Sequence, residues 1–298
     1  MWVNPMITKR FCDLGLINPP PWLVNNVHYE TIMGSQAYGV NDDDSDVDVY
    51  GFCIPTKNII FPHLDGEILG FGKKKNHFEQ FQAIKIQDNK HVYDLNIYNI
   101  VKYFQLCMEN NPNMIDSLFT PQNCILSITT VGNMVRDNRN LFLHKGSWHK
   151  FKGYAFSQIH KLKNKNPIGN RKILVEKYGY DVKFGYHVVR LLNEVEQILI
   201  EGTIDLQKNR EQLKSIRRGD WKEEDLIKYF NEKELSLEKL YQESKLRHSP
   251  DEASIKELLF KCLEHHYGSL KDCCLNTKSR SEMKLTEIAA IIDDWRKS

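Results

Sequence analysis

The sequence predicts an α+β protein, with a small mixed β-sheet in the front part of the chain and an all-helical back part. Two observations carry this. Runs rich in β-branched and aromatic residues cluster near the front: "HYETIMG" (28–34), "DVDVYGFCI" (46–54), "FQAIKIQ" (81–87) and "HVYDLNI" (91–97). From about residue 129 onward the apolar residues recur at helical spacing instead. A length of 298 residues suits one large domain or two ordinary ones. We expect a sheet domain over 1–128 and a helical domain over 129–298.

Each element has its own signal. In 46–54, Val47 and Val49 alternate with Asp46 and Asp48, as in a strand with one apolar face. The alternation in 81–87 is only moderate. Ile97, Ile100, Val101 and Phe104 fall at helical spacing, with Asn96 as the expected N-cap and the "NPN" at 111–113 as the stop. "TTVGNMVRDNRNLFL" and "SWHKFKGYAFSQIHKL" are amphipathic helices, and "NKNPIGNRK" (164–172) is a polar, basic loop. The clearest helix is 181–202, capped by Asp181 and ended by Gly202. The lysine triplet at 73–75 predicts a solvated hairpin.

Composition excludes some classes. Hydrophobic residues make up 41% and charged residues 27%, an ordinary globular balance. No apolar run approaches the roughly 20 residues of a membrane span. The N-terminus lacks the basic-then-apolar order of a signal peptide, so a cytoplasmic protein is expected. A net charge of +2 indicates no global attraction to nucleic acid. Seven irregularly spaced cysteines read as reduced thiols. Cys262, His265, His266, Cys273 and Cys274 lack a standard zinc spacing and read as helix-face and loop residues.

The most informative stretch is "GSQAYGVNDDDSDVDVYGF" (34–52), with five aspartates in seven positions, 42 to 48. A charge-dense run is usually a solvated loop, yet here it enters a core strand. Asp46 and Asp48 share one face of that strand and repel each other unless a cation neutralises them. A hard divalent metal such as Mg2+ takes carboxylate oxygens and phosphates. Upstream, a strand ends in Gly34 and Ser35 and a short helical turn follows. Gly34 admits a close-lying ligand, and the free N–H groups with the Ser35 hydroxyl form an anion site.

Gly-Ser, a short helix and then Asp-x-Asp on the next strand resembles the DNA polymerase beta-like nucleotidyltransferase superfamily. Gly34, Ser35, Asp46 and Asp48 match its pattern position by position. "YDLNIYNIVKYFQLCMENNPNMID" and "YGYDVKFGYHVVRLLNEVEQILIEGTIDL" extend the likeness to stand-alone nucleotidyltransferases of bacteria and large phages, over most of 28–220. The resemblance implies a third carboxylate on a later strand. Asp94 is the choice, with Glu79 and Asp88 as rivals. It further implies two Mg2+ ions, with Mn2+ as the alternative, held by Asp46, Asp48 and Asp94, and a nucleoside triphosphate such as ATP as donor. The acceptor would be an RNA end, a small molecule or a protein side chain. A nucleotide- or RNA-binding module without catalysis is the competing class.

On the 181–202 helix, Lys183, His187 and Arg190 lie at i, i+4 and i+7. We expect these three to face the Gly34 turn as a cationic wall for the polyphosphate, with His187 protonated beside it. A solvated polar face is the plain reading. Basic residues in 160–172 and 216–220, near Trp148, Phe151, Tyr154 and Phe156, extend the case for a nucleic-acid acceptor. Tyr38 is expected to pack under the loop rather than stack on a base.

Overall fold

A computed structural model describes residues 6–41, 46–68, 70–72, 77–89, 91–164 and 169–274, with isolated positions between 285 and 296. The aspartates at 42–44, the lysine triplet at 73–75 and part of the basic 164–172 segment lie outside the described residues. In chain order the elements are α1 (Ile7–Asp13), β1 (Val27–Ile32), α2 (Gly34–Ala37), β2 (Val47–Cys53), α3 (Lys57–Ile60), β3 (Gln80–Asp88) and β4 (His91–Asn99). After these come α4 (Ile100–Met108), α5 (Pro112–Phe119), β5 (Ile125–Ile128), α6 (Thr130–Asp137), α7 (Ser147–Asn164) and α8 (Asn170–Tyr178). The chain closes with α9 (Val182–Glu201), α10 (Arg210–Arg218), α11 (Glu223–Glu243) and α12 (Glu252–Tyr267). The expected α+β class is therefore what folds.

The strands form one mixed sheet in the order β3-β4-β2-β1-β5. β2 and β4 run parallel and the other pairs antiparallel. One face of the sheet carries Val47, Val49, Leu95 and Ile97, which pack with Ile7 and Phe11 of α1. Fully buried Glu30 fixes α1 there: its carboxylate accepts from the N–H groups of Ile7 (2.8 Å) and Thr8 (3.0 Å) at the helix start. The opposite face carries Tyr29 and Phe52, covered by Ile100 and Tyr103 of α4 and Ile115 and Leu118 of α5. That apolar cluster continues through α7 and α9 to α12.

Helix α9 forms as expected. The Asp181 carboxylate accepts from Lys183 N at 2.9 Å, and Gly202 closes the helix in the left-handed conformation at φ +64°. Other boundaries differ. Asn99, not Asn96, caps α4, with its side chain accepting from Val101 N at 3.0 Å. Parallel pairing from Val47↔Tyr93 to Cys53↔Asn99 holds residues 96–99 in the strand, which a helical apolar spacing does not reveal. The weak alternation of 81–87 has a cause: the β3–β4 register shifts between Ala83 and Ile86, where Lys85 sits at φ +55°. Part of the expected 164–172 loop is the first turn of α8. Strand β5 carries no alternation that sets it apart and forms because β1 offers it an edge. The described cysteines are free thiols, and no helix among the described residues is long and apolar enough to cross a membrane.

Candidate active site

Along β2, the face opposite α1 is covered progressively less. Phe52 is fully buried, Tyr50 and Asp48 are half-buried, and Asp46 is exposed. The helices therefore leave the N-terminal end of this face open, and the carboxylates line that opening. Asp94 stands directly opposite Asp48 in the parallel ladder, on strands spaced about 4.8 Å apart. Burial, then the charge of Asp94, then that of Asp46, pushes the Asp48 pKa up to about 6. Asp94 is held by the β3 bulge, whose Lys85 N–H donates to Asp94 Oδ1 at 2.7 Å.

The rivals to Asp94 are engaged elsewhere. Glu79 pairs with Lys102 at 3.2 Å, and Asp88 pairs with Arg10. Among the described residues, no group of three or more His, Cys, Asp and Glu side chains converges tightly enough to hold a metal ion. The described side chains between Cys262 and Cys273 form none either; Cys262 is buried in the core, and His266 Nδ1 sits 3.0 Å from His28 Nε2. What Asp48, Asp94 and Asp46 provide is a set of oxygen donors with unrelieved repulsion, which suits a hard cation.

Gly34 stands at the mouth of the site with φ +66°, and a Cβ placed there would lie 2.5 Å from Asp48 Oδ2. The α2 turn therefore lies directly against the carboxylate, and only glycine fits. Gly34→Ala is expected to displace the turn or Asp48, costing about 1–3 kcal/mol of stability from the left-handed strain and any transfer activity with it. Thermal unfolding and a turnover assay on the purified variant check both; a variant as active and stable as the parent would remove this close approach. Ser35 follows on α2, half-buried, and Tyr38 packs beneath, buried, donating to Asp116 Oδ2 at 2.8 Å.

The three residues expected as a cationic wall part company. Lys183 is exposed. His187 is half-buried against Tyr186, ring centroids 4.1 Å apart. Loss of hydration and the charges of Arg190, Arg171, Arg217 and Lys183 hold its pKa well below the usual histidine value. The charged form of His187 is therefore disfavoured in the free protein; the expected imidazolium is one beside a bound triphosphate. Arg190 is not on the cleft surface. It is buried, ion-paired with Asp116 and with Glu194 (3.1 Å), and its guanidinium lies 4.4 Å from the Tyr38 ring centroid. At i+7 on a helix buried on most sides, Arg190 turns into the core beside Glu194, one turn on, and Asp116, 74 positions away in the chain.

Other cations gather near α9. Burial pushes the Tyr186 pKa up, the charges of Arg190, Arg217 and Arg171 act against that shift, and Asp48 adds to it. A 390 Å³ pocket between α8, α9, α10 and the loop after α2 is lined by Lys183, Lys214, Arg217 and Arg218. The basic stretches 216–220 and 160–172 are the legible signals for Arg217 and Arg171.

Residues 23–260 match RlaP, an RNA repair pathway DNA polymerase beta family. No curated relative matches the chain. A solved nucleotidyltransferase-like protein from Exiguobacterium sibiricum 255-15 aligns over 87% of this chain and 79% of its own, at 10% identity and a TM-score of 0.28, a likeness too loose to carry any argument.

Proposed function

From the premise that the chain belongs to the RlaP family of RNA repair pathway, polymerase beta-like proteins, we propose that it transfers a nucleoside monophosphate from a nucleoside triphosphate to an acceptor hydroxyl, releasing pyrophosphate. The observation that carries this reading is Asp48 facing Asp94 in the ladder, with the Gly34 turn against the Asp48 carboxylate. Residues 1–128 supply the carboxylates and the turn; residues 129–298 supply the facing wall.

Asp46, Asp48 and Asp94 would hold Mg2+ ions, with Mn2+ as the alternative. Such ions, when bound, neutralise charge on the attacking and leaving oxygens. The chain does the rest. Gly34 and Ser35 hold the triphosphate against the carboxylates through backbone N–H groups and a hydroxyl. Asp94 keeps Oδ1 on the Lys85 N–H, which leaves Oδ2 to take the proton of the acceptor hydroxyl as that oxygen attacks the α-phosphate. Lys183 faces the polyphosphate from α9. Lys183→Ala is expected to weaken triphosphate binding roughly 10-fold, about 1.5 kcal/mol for one charge-assisted bond. Calorimetry with a non-hydrolysable triphosphate reads this; unchanged affinity would return Lys183 to the solvated helix face.

RNA is the acceptor class that the family description favours. The deciding experiment incubates the protein with each α-labelled nucleotide, Mg2+ and total RNA or cell lysate. Label is expected on RNA and lost in Asp48→Asn. Label on protein would move the acceptor to a side chain, and no labelled species with any nucleotide would favour a binding module.

A further inference from the structure

Beyond the carboxylates this face of the sheet is aromatic. Tyr50 lies two residues past Asp48 on β2, hence on the same face, and Tyr98 lies four past Asp94 on β4, again on the same face. Their rings are 6.2 Å apart, tilted at 59°, and both are half-buried. On α7, Tyr154 is 38% exposed. Its hydroxyl accepts from Nδ2 of Asn111, the N-cap of α5, at 3.1 Å. The three phenols are near enough to act on one another electrostatically, and Tyr50 senses Asp48 and Asp94 as well.

Tyr50 and Tyr98 pack against the apolar core but are only half-buried, whereas Phe52, one strand period farther in, is fully buried. Lys183, Arg217 and Arg218 lie on α9 and α10, on other elements from the one that carries Tyr154. The site therefore has charge supplied by α9 and α10, carboxylates at the centre, and π-surface supplied by β2, β4 and α7. A nucleotide has the same order of parts: polyphosphate, reacting phosphorus, base.

We propose that Tyr50, Tyr98 and Tyr154 form a nucleobase-binding shelf that seats a base by stacking beside the Asp48 and Asp94 carboxylates. The proposal rests on the nucleotidyl-transfer reading of this site and adds where the base is held. Stacking needs only a π-face, so the shelf tolerates different bases. The base belongs either to the incoming triphosphate or to the end of the acceptor strand.

The test compares parent, Tyr154→Ala, Tyr98→Leu and Tyr154→Phe. Tyr154 is exposed enough for its truncation to leave the core intact, and Tyr154→Phe keeps the ring without the hydroxyl. Three ligands are titrated with Mg2+: a non-hydrolysable nucleoside triphosphate, tripolyphosphate, and a short single-stranded oligoribonucleotide. Loss of one stacked ring is expected to weaken a base-bearing ligand roughly 10-fold. Tripolyphosphate should bind parent and variants alike, and Tyr154→Phe should match the parent. Weakening confined to the nucleoside triphosphate assigns the shelf to the donor base; weakening confined to the oligoribonucleotide assigns it to the acceptor. Unchanged affinity for both in Tyr154→Ala and Tyr98→Leu would overturn the shelf while leaving nucleotidyl transfer standing. A parent that binds none of the three ligands would overturn both.

Discussion

Asp48→Asn is expected to lose nucleotidyl transfer by about 10³-fold while the protein becomes more stable at neutral pH. The two effects share one cause. Asp48 is a half-buried carboxylate facing Asp94, and burial together with the charges of Asp94 and Asp46 makes its own charge unfavourable. On the nucleotidyl-transfer reading, replacing it would remove a ligand of a cation that would supply several kcal/mol of charge stabilisation, and each 1.36 kcal/mol is a factor of ten in rate. On the stability side, the folded-state pKa of about 6 lies above the ordinary 3.8. The fold therefore favours the protonated form; that contribution is present below pH 4 and is lost as the pH rises through 6. Asparagine does not titrate. The variant should match the parent near pH 4 and exceed it above pH 6.5 by on the order of 2 kcal/mol, or roughly 4–8 °C in Tm. Thermal unfolding with a chelator present, at pH 4.5 and 7.5, measures the difference. A stability gap that stays constant across that range would mean that Asp48 is ionised without cost, and near-parent turnover with Mg2+ would remove Asp48 from the chemistry.

Arg190→Ala should act on stability first. Its guanidinium is buried between Asp116 and Glu194, and removing it leaves two buried acids facing each other without a cation. Breaking such an arrangement costs about 3–5 kcal/mol, enough to lower Tm by on the order of 10 °C. Arg190→Lys is not a rescue, because an ammonium has no planar fork to span both partners. Neutralising all three positions together, as Arg190→Met with Asp116→Asn and Glu194→Gln, should recover much of the loss, since uncompensated charge is the cause. The damage should also reach the site: Asp116 accepts from Tyr38, the C-terminal neighbour of α2, and so ties the Gly34 turn to α5 and α9. An Arg190→Ala protein of parental Tm that has lost only triphosphate affinity would restore Arg190 to the cleft wall.

The sequence by itself determined the features that are local. Gly-Ser followed by Asp-x-Asp at that spacing places a tight turn before a strand, and the alternation through Val47 and Val49 sets which face carries the aspartates. The same locality made α9 legible, since Asp181 and Gly202 are end signals that act within a few residues of themselves. What only the tertiary structure decided depends on pairing and burial across long separations. Asp94, Glu79 and Asp88 are three acids on or beside strands; the β2–β4 register puts the first beside Asp48, while Lys102 and Arg10 take the other two. Lys183 and Arg190 look alike on a helical wheel, yet one is exposed and the other is buried beside Asp116, 74 positions away in the chain. Tyr50 and Tyr98 lie on two strands far apart in the chain, and only the β2–β4 pairing brings their rings to 6.2 Å. Periodicity reports which side of an element is apolar; it carries no information about what the fold brings against that side.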